Sequence, residues 1–149
     1  ASGPAYDQDS VRALAQTAEE LGARAAKITR TMKKLPAGFG DSLEAHMKRQ
    51  GISGEELAER MMVSPKMIQR MVKEEGYNSR IKTIVAMCIA LKLEPMLSSD
   101  LIQKAGFRFM NTEEHAFLHL LLTTCSHMTV PECNEILKTK GYKALTSEE

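Results

Sequence analysis

Tryptophan is absent from this chain of 149 residues, and aromatic residues make up only 5% of it. With 26% charged residues, that is the composition of a soluble helical protein. Cysteine is scarce and odd in number: Cys88, Cys125 and Cys133. This excludes a disulfide scaffold and points to a reducing, cytoplasmic setting. No apolar run reaches membrane-spanning length and no signal peptide is visible, so neither a membrane nor an export route is expected. Charge is nearly balanced at +1, which leaves no strong global field to draw in nucleic acid. Any such binding has to rest on a local patch.

Catalytic signatures are missing as well. There is no glycine-rich phosphate loop and no Ser/His/Asp set at a recognisable spacing, so no enzyme and no cofactor are expected. His115 and His119 stand four apart, but the intervening residues are Ala116, Phe117 and Leu118. The glutamate of a His-Glu-x-x-His zinc peptidase is therefore lacking. Cys125 and His127 are too close for the usual zinc-ligand pair, and Cys133 stands apart, so buried cysteines and surface histidines are expected rather than a metal site. The chain begins at Ala1, from which processing or a longer parent chain is expected.

What is present is 43% apolar residues, ten of the residues being methionine, over a length that suits one or two small domains with a real core. Organisation centres on residues 53–73. Ser53 with Glu56 makes a capping box, and Leu57, Ala58 and Met61 give the helix that follows an apolar stripe. Ser64 caps a second helix with Pro65 at its first position, expected to span residues 65–75. Met67, Ile68, Met71 and Val72 form one face of it; Pro65, Lys66, Gln69, Arg70 and Lys73 form the other. One face for a core and one bearing cations and an amide is the division a groove-reading helix needs.

These residues resemble the Cro/C1-type, lambda-repressor-like (XRE) helix-turn-helix regulators. The likeness lies in Leu57-Ala58, Val63-Ser64, Ile68, Thr83-Ile84 and Ala90-Leu91, and covers roughly residues 39–93. It implies that Ala58 lets the two motif helices cross closely while Val63 and Ile68 fill the core between them. Two positions depart from the pattern: Met62 stands at the turn where glycine is usual, and Gly54 where a phosphate-touching glutamine is usual. At positive φ a methionine costs of order 1 kcal/mol, so the turn is either remodelled or strained.

The remaining chain is read around this motif. Residues 1–9 are expected to be a loose tail. Val11, Leu14, Ala18, Leu21, Ala25, Ile28, Met32 and Leu35 alternate spacings of three and four, an a/d heptad that predicts a long helix over residues 10–35. It either packs on its own domain or joins a second copy. Pro36-Ala37-Gly38 breaks the chain. Asp41 with Glu44 reads as a capping box for a helix ending at Gly51; Asn78 or Ser79 opens an apolar helix from Ile81 to Leu93; Pro95 opens another, ending at Gly106. Five helices thus fill the helix-turn-helix domain, residues 39–106. Thr112, and Thr129 with Glu132, cap two more in an appended hairpin over residues 107–149. The stretch from Asp100-Leu-Ile-Gln-Lys-Ala-Gly through Glu132-Cys-Asn-Glu-Ile-Leu loosely resembles helical tails of bacterial regulators, some attached to zinc-peptidase partners.

The expected architecture is all-α: a lambda-repressor-like five-helix bundle with an N-terminal heptad helix and a C-terminal helical hairpin. The expected function is sequence-specific transcription regulation on double-stranded DNA, with Ser64, Pro65, Lys66, Gln69, Arg70, Lys73, Asn78, Arg80 and Lys82 as contacts. The alternative is a protein-interaction module that keeps this scaffold without binding DNA. A homodimer is expected, through the heptad helix in preference to Phe117, Leu120 and Leu121 of the hairpin.

Overall fold

The computed structural model describes residues 5–125 and 127–147, and among these every regular element is an α-helix. There are eight: α1 (Gln8–Lys34), α2 (Phe39–Gln50), α3 (Gly54–Met61), α4 (Pro65–Lys73), α5 (Ile81–Ala90), α6 (Pro95–Lys104), α7 (Glu113–Thr124) and α8 (Val130–Thr139). None of them is long and apolar enough to cross a membrane. The chain divides into two compact units, Ala1–Lys34 and Leu35–Glu149.

The first unit is α1. It begins two residues before the expected start, because Asp7 Oδ1 accepts the Ser10 N–H at 2.7 Å and caps the helix from outside. The expected loose tail is shortened accordingly, and its residues 1–4 lie outside the described residues. At the other end the helix stops at Lys34, so Leu35 is not part of it. No residue of α1 is buried, and Val11, Leu14 and Leu21 are all more than half exposed.

The second unit is built around α5. Its residues from Ile84 through Ala90 are all buried, as its unbroken apolar sequence demands. Against it pack α3, α6, α7 and α8, while α2 packs on α4 and α6. The two appended helices therefore share the core of α5 with the helices before them. Pro95 and Thr112 open their helices as expected, and Thr129 with Glu132 forms a complete capping box.

Other helix ends differ from expectation, and α5 stops at Ala90, short of the expected Leu93. In α2 the N-cap is Gly38, with no side-chain cap; Asp41 lies inside the first turn, where its charge favours the helix dipole instead of closing a box. In α5 the N-cap is Arg80 rather than Asn78 or Ser79. And α4 ends at Lys73, two residues early, because Glu74 leaves helical φ/ψ (−93°, 108°) ahead of the left-handed Gly76.

Candidate nucleic-acid interface

The pair α3–α4 is set by its caps. Ser53 Oγ accepts the Glu56 N–H at 3.1 Å, and Ser64 Oγ accepts the Met67 N–H at 3.2 Å. Between the two helices Met62 takes φ +63° and ψ +43°. Its N–H donates to the Glu59 carbonyl at 3.2 Å, and the Val63 N–H donates to the Ala58 carbonyl at 3.0 Å. This is the double bond of a left-handed helix terminus that glycine ordinarily supplies. The turn is thus kept and the strain is borne by a methionine, at about 1–2 kcal/mol.

Contacts from the far end of the chain meet that turn. Asn134 Nδ2 of α8 points at Met62 Sδ at 3.7 Å, and Thr146 Oγ1 donates to the Met61 carbonyl at 2.7 Å. Asn134 Oδ1 accepts the Leu145 N–H at 2.8 Å, which holds the segment that carries Thr146. The thioether gives Met62 an interaction that glycine would lack. The buried polar pair Asn134 and Thr146 closes over the end of α3 and leaves its last carbonyl satisfied.

Helix α4 is anchored from beneath by Ile68 and Met71, both buried, and packs on α3, in which Ala58 is 1% exposed. At its C-terminal end α2 comes in closely: a Cβ placed on Gly40 would lie 2.3 Å from the Val72 carbonyl oxygen. Only glycine admits that approach. Lys66, Gln69, Arg70 and Lys73 occur at i, i+3, i+4 and i+7, so they share the outward face, and with Glu74 they line one shallow depression. All four are exposed.

Eight of the nine expected contacts, all but Lys82, are exposed, and they fall into two groups. Beside the α4 stripe, Ser64, Asn78 and Arg80 meet along a groove of about 740 Å³ bounded also by Tyr77, Thr83 and Leu145. Pro65 stands at the head of α4 between them. Lys82 is engaged elsewhere: its Nζ is 3.1 Å from Glu114 Oε1 and donates to the Lys143 carbonyl at 3.0 Å, with 19% of the side chain exposed. Arg70 carries a local restraint. Its Nε donates to Glu74 Oε1 at 3.1 Å, which raises its pKa, and its guanidinium lies 4.8 Å from the Tyr77 ring centroid. The side chains of Lys66, Gln69, Lys73, Asn78 and Arg80 make no hydrogen bond or ion pair with the described residues.

At Gly54 a Cβ would meet Ile68 Cγ2 at 3.8 Å, an ordinary contact, so the small residue there is not demanded by packing. The neighbours of Gly54 are acidic, with Glu55 and Glu56 in the first turn of α3.

The other polar clusters are structural. His115 Nδ1 accepts the Met110 N–H at 2.7 Å, and both His115 and His119 stand edge-on to Phe109. Among the described residues no group of three or more His, Cys, Asp or Glu is placed to hold a metal ion. Burial pushes the Cys88 thiol up to about 12 and that of Cys133 up to about 11. Sequence reasoning passed over Gly40, Asn134 and Thr146, all of which hold α4 or its turn in place. It also passed over His46, which is buried with Nδ1 accepting from Arg49 at 2.8 Å and Nε2 unpartnered.

No family model matches this chain, and no curated protein or solved structure matches it either.

Proposed function

We propose that the chain is a sequence-specific DNA-binding regulator that presents α4 to the major groove, on a lambda-repressor-like unit made of α2 to α6. The observation that carries this is the outward stripe of Lys66, Gln69, Arg70 and Lys73 on a helix whose inner face is fixed in the core. From Lys66 to Lys73 it is about 10 Å long. That matches roughly three base pairs at about 3.4 Å each. Gln69 is suited to adenine and Arg70 to guanine, while Lys66 and Lys73 sit where phosphates flank a helix in the groove.

The pairing of Arg70 with Glu74 does not oppose this. An exposed i, i+4 ion pair contributes about 0.3–0.5 kcal/mol, less than the roughly 1–3 kcal/mol of a bidentate base contact. DNA would outcompete Glu74. A second reading, an interaction module without DNA binding, is favoured by Lys82, whose charge is spent on Glu114.

Selection of bound sequences from random duplex DNA tests the proposal, followed by two variants. Gln69→Ala is expected to change preference at one base pair by about 1–3 kcal/mol. Lys73→Ala is expected to weaken all sequences alike and to flatten the salt dependence. If both variants bind as the parent does, α4 is not the reading helix; a parent that selects no duplex leaves the module reading.

A further inference from the structure

The 27 residues of α1 carry apolar side chains at heptad spacing, none of them buried, a pattern written for a partner helix. Two regularities in α1 say what that partner is. The first is size. Val11, Ala18, Ala25 and Met32 occupy one seam position (a), and Leu14, Leu21 and Ile28 the other (d). In a parallel pair each residue meets its own copy, so layers of two alanines alternate with layers of two large side chains, and the helices cannot hold one separation. Antiparallel order sets small against large in each central layer: Ala18 against the partner's Ile28, and Ala25 against the partner's Leu21. Beside the seam, Ala15, Gly22 and Thr29 leave room for close approach, and nothing lies within 4 Å of a Cβ built on Gly22.

The second regularity is charge. Residues 8–21 hold Asp9, Glu19 and Glu20 against Arg12, a net of −2; residues 22–34 hold Arg24, Lys27, Arg30, Lys33 and Lys34, a net of +5. Parallel pairing would bring the two basic halves together, whereas antiparallel pairing sets basic against acidic and opposes the helix dipoles.

We infer that α1 binds α1 of a second copy of this chain in antiparallel order, about a two-fold axis level with Ala23. An axis between residues 19 and 20 would also pair a with d positions, but it brings Glu19 level with the partner's Glu20 and Glu20 level with the partner's Glu19; about Ala23, Glu19 lies level with the partner's Lys27. The hairpin offers less, for Leu121 is buried and Phe117 lies against Tyr142 at 5.4 Å between ring centroids, leaving Leu120 exposed. The pairing does not rest on DNA binding. It does place the two Lys34 residues roughly 33 Å apart along the axis, close to the ~34 Å turn that separates paired half-sites.

Sedimentation equilibrium on the full chain without DNA tests it. The parent is expected to be a dimer in the micromolar range, and Leu21→Asp a monomer with an unchanged unfolding transition of the second unit. Ala25→Leu separates the two orders: it overpacks the antiparallel seam and weakens the dimer roughly tenfold or more, but would tighten a parallel one. Spin labels at Lys33→Cys, on a Cys125→Ser background, are expected roughly 30 Å apart along the axis. A monomeric parent, a Leu21→Asp dimer, loss of the transition in that variant, or tightening by Ala25→Leu overturns the inference. A label distance under ~20 Å overturns the antiparallel order, and any other clear departure overturns the axis at Ala23.

Discussion

Replacing a helical glycine by alanine is normally stabilising, and at Gly40 the sign is expected to reverse. Gly40 is the second residue of α2, so the gain in helix propensity is at most about 1 kcal/mol and smaller in a first turn than in an interior. Against it stands a steric clash with backbone. The new Cβ would lie 2.3 Å from the Val72 carbonyl oxygen, 3.0 Å from its carbon and 3.1 Å from the Met71 carbonyl oxygen. A contact of that kind relaxes only when α2 withdraws from the end of α4 by roughly 1 Å. The withdrawal cannot be local, because α2 also carries Leu43 and His46, both wholly buried. Overpacking of this sort costs about 1–3 kcal/mol, occasionally more. The net expectation is a destabilisation of about 1–2 kcal/mol, read by urea unfolding at 25 °C as a lower midpoint with unchanged m. Gly22→Ala is the control: in the open space around α1 the same change is expected to raise helicity and stability slightly. An equally or more stable Gly40→Ala chain would refute the claim that glycine is there to admit Val72.

Three further outcomes are expected. Burial, with Arg49 next in effect, lowers the pKa of His46 to about 4 from 6.5, so the unfolded chain binds more protons between those values. Stability should therefore fall as pH drops from about 6.5 toward 4, by up to about 3 kcal/mol, in spite of the opposing charge of Asp100; His46→Leu should remove that slope from the urea midpoints, and a wild-type slope in the variant would refute the assignment. Of the three thiols, Cys88 and Cys133 are buried, so a thiol reagent should label Cys125 alone in the native chain and all three in denaturant, a result read by mass spectrometry; early labelling of Cys88 would count against the packed α5 core. Finally, Glu74→Gln should free Arg70, tighten binding to a selected duplex and leave stability within about 0.5 kcal/mol, whereas unchanged affinity would mean that Arg70 does not face the DNA.

What could be read from the sequence divides by range. The caps at Ser53, Ser64, Thr112 and Thr129 are written in four consecutive residues, and each was legible because its donor and acceptor lie three apart. The buried α5 was legible from an unbroken apolar run. The Asp41–Glu44 pair misled for the same reason that made the others readable: its residues suit a box, but Gly38 in extended conformation already starts the helix. The outward face of α4 followed from its 3.6-residue period. The state of Lys82 did not, since Glu114 and Lys143 are 32 and 61 residues away in sequence and no local pattern announces them. Gly40 is a similar case: its reason lies on another helix, and the sequence shows only one more glycine near a breaker.

The appended helices bear on α4 as well. A left-handed methionine at the turn is tolerable where something offsets its strain, and the offset comes from α8 and the segment after it: Asn134 at Met62 Sδ, Thr146 on the Met61 carbonyl, and Asn134 again on Leu145. Each hydrogen bond of this buried set contributes about 0.5–1.5 kcal/mol, together of the order of the cost of the turn. Glycine at residue 62 would remove both the strain and the thioether contact, and it would loosen the unfolded chain. The hairpin and the motif are in this sense one structure: the turn from which α4 leaves is held by residues 134 and 146 as well as by residues 58 to 64.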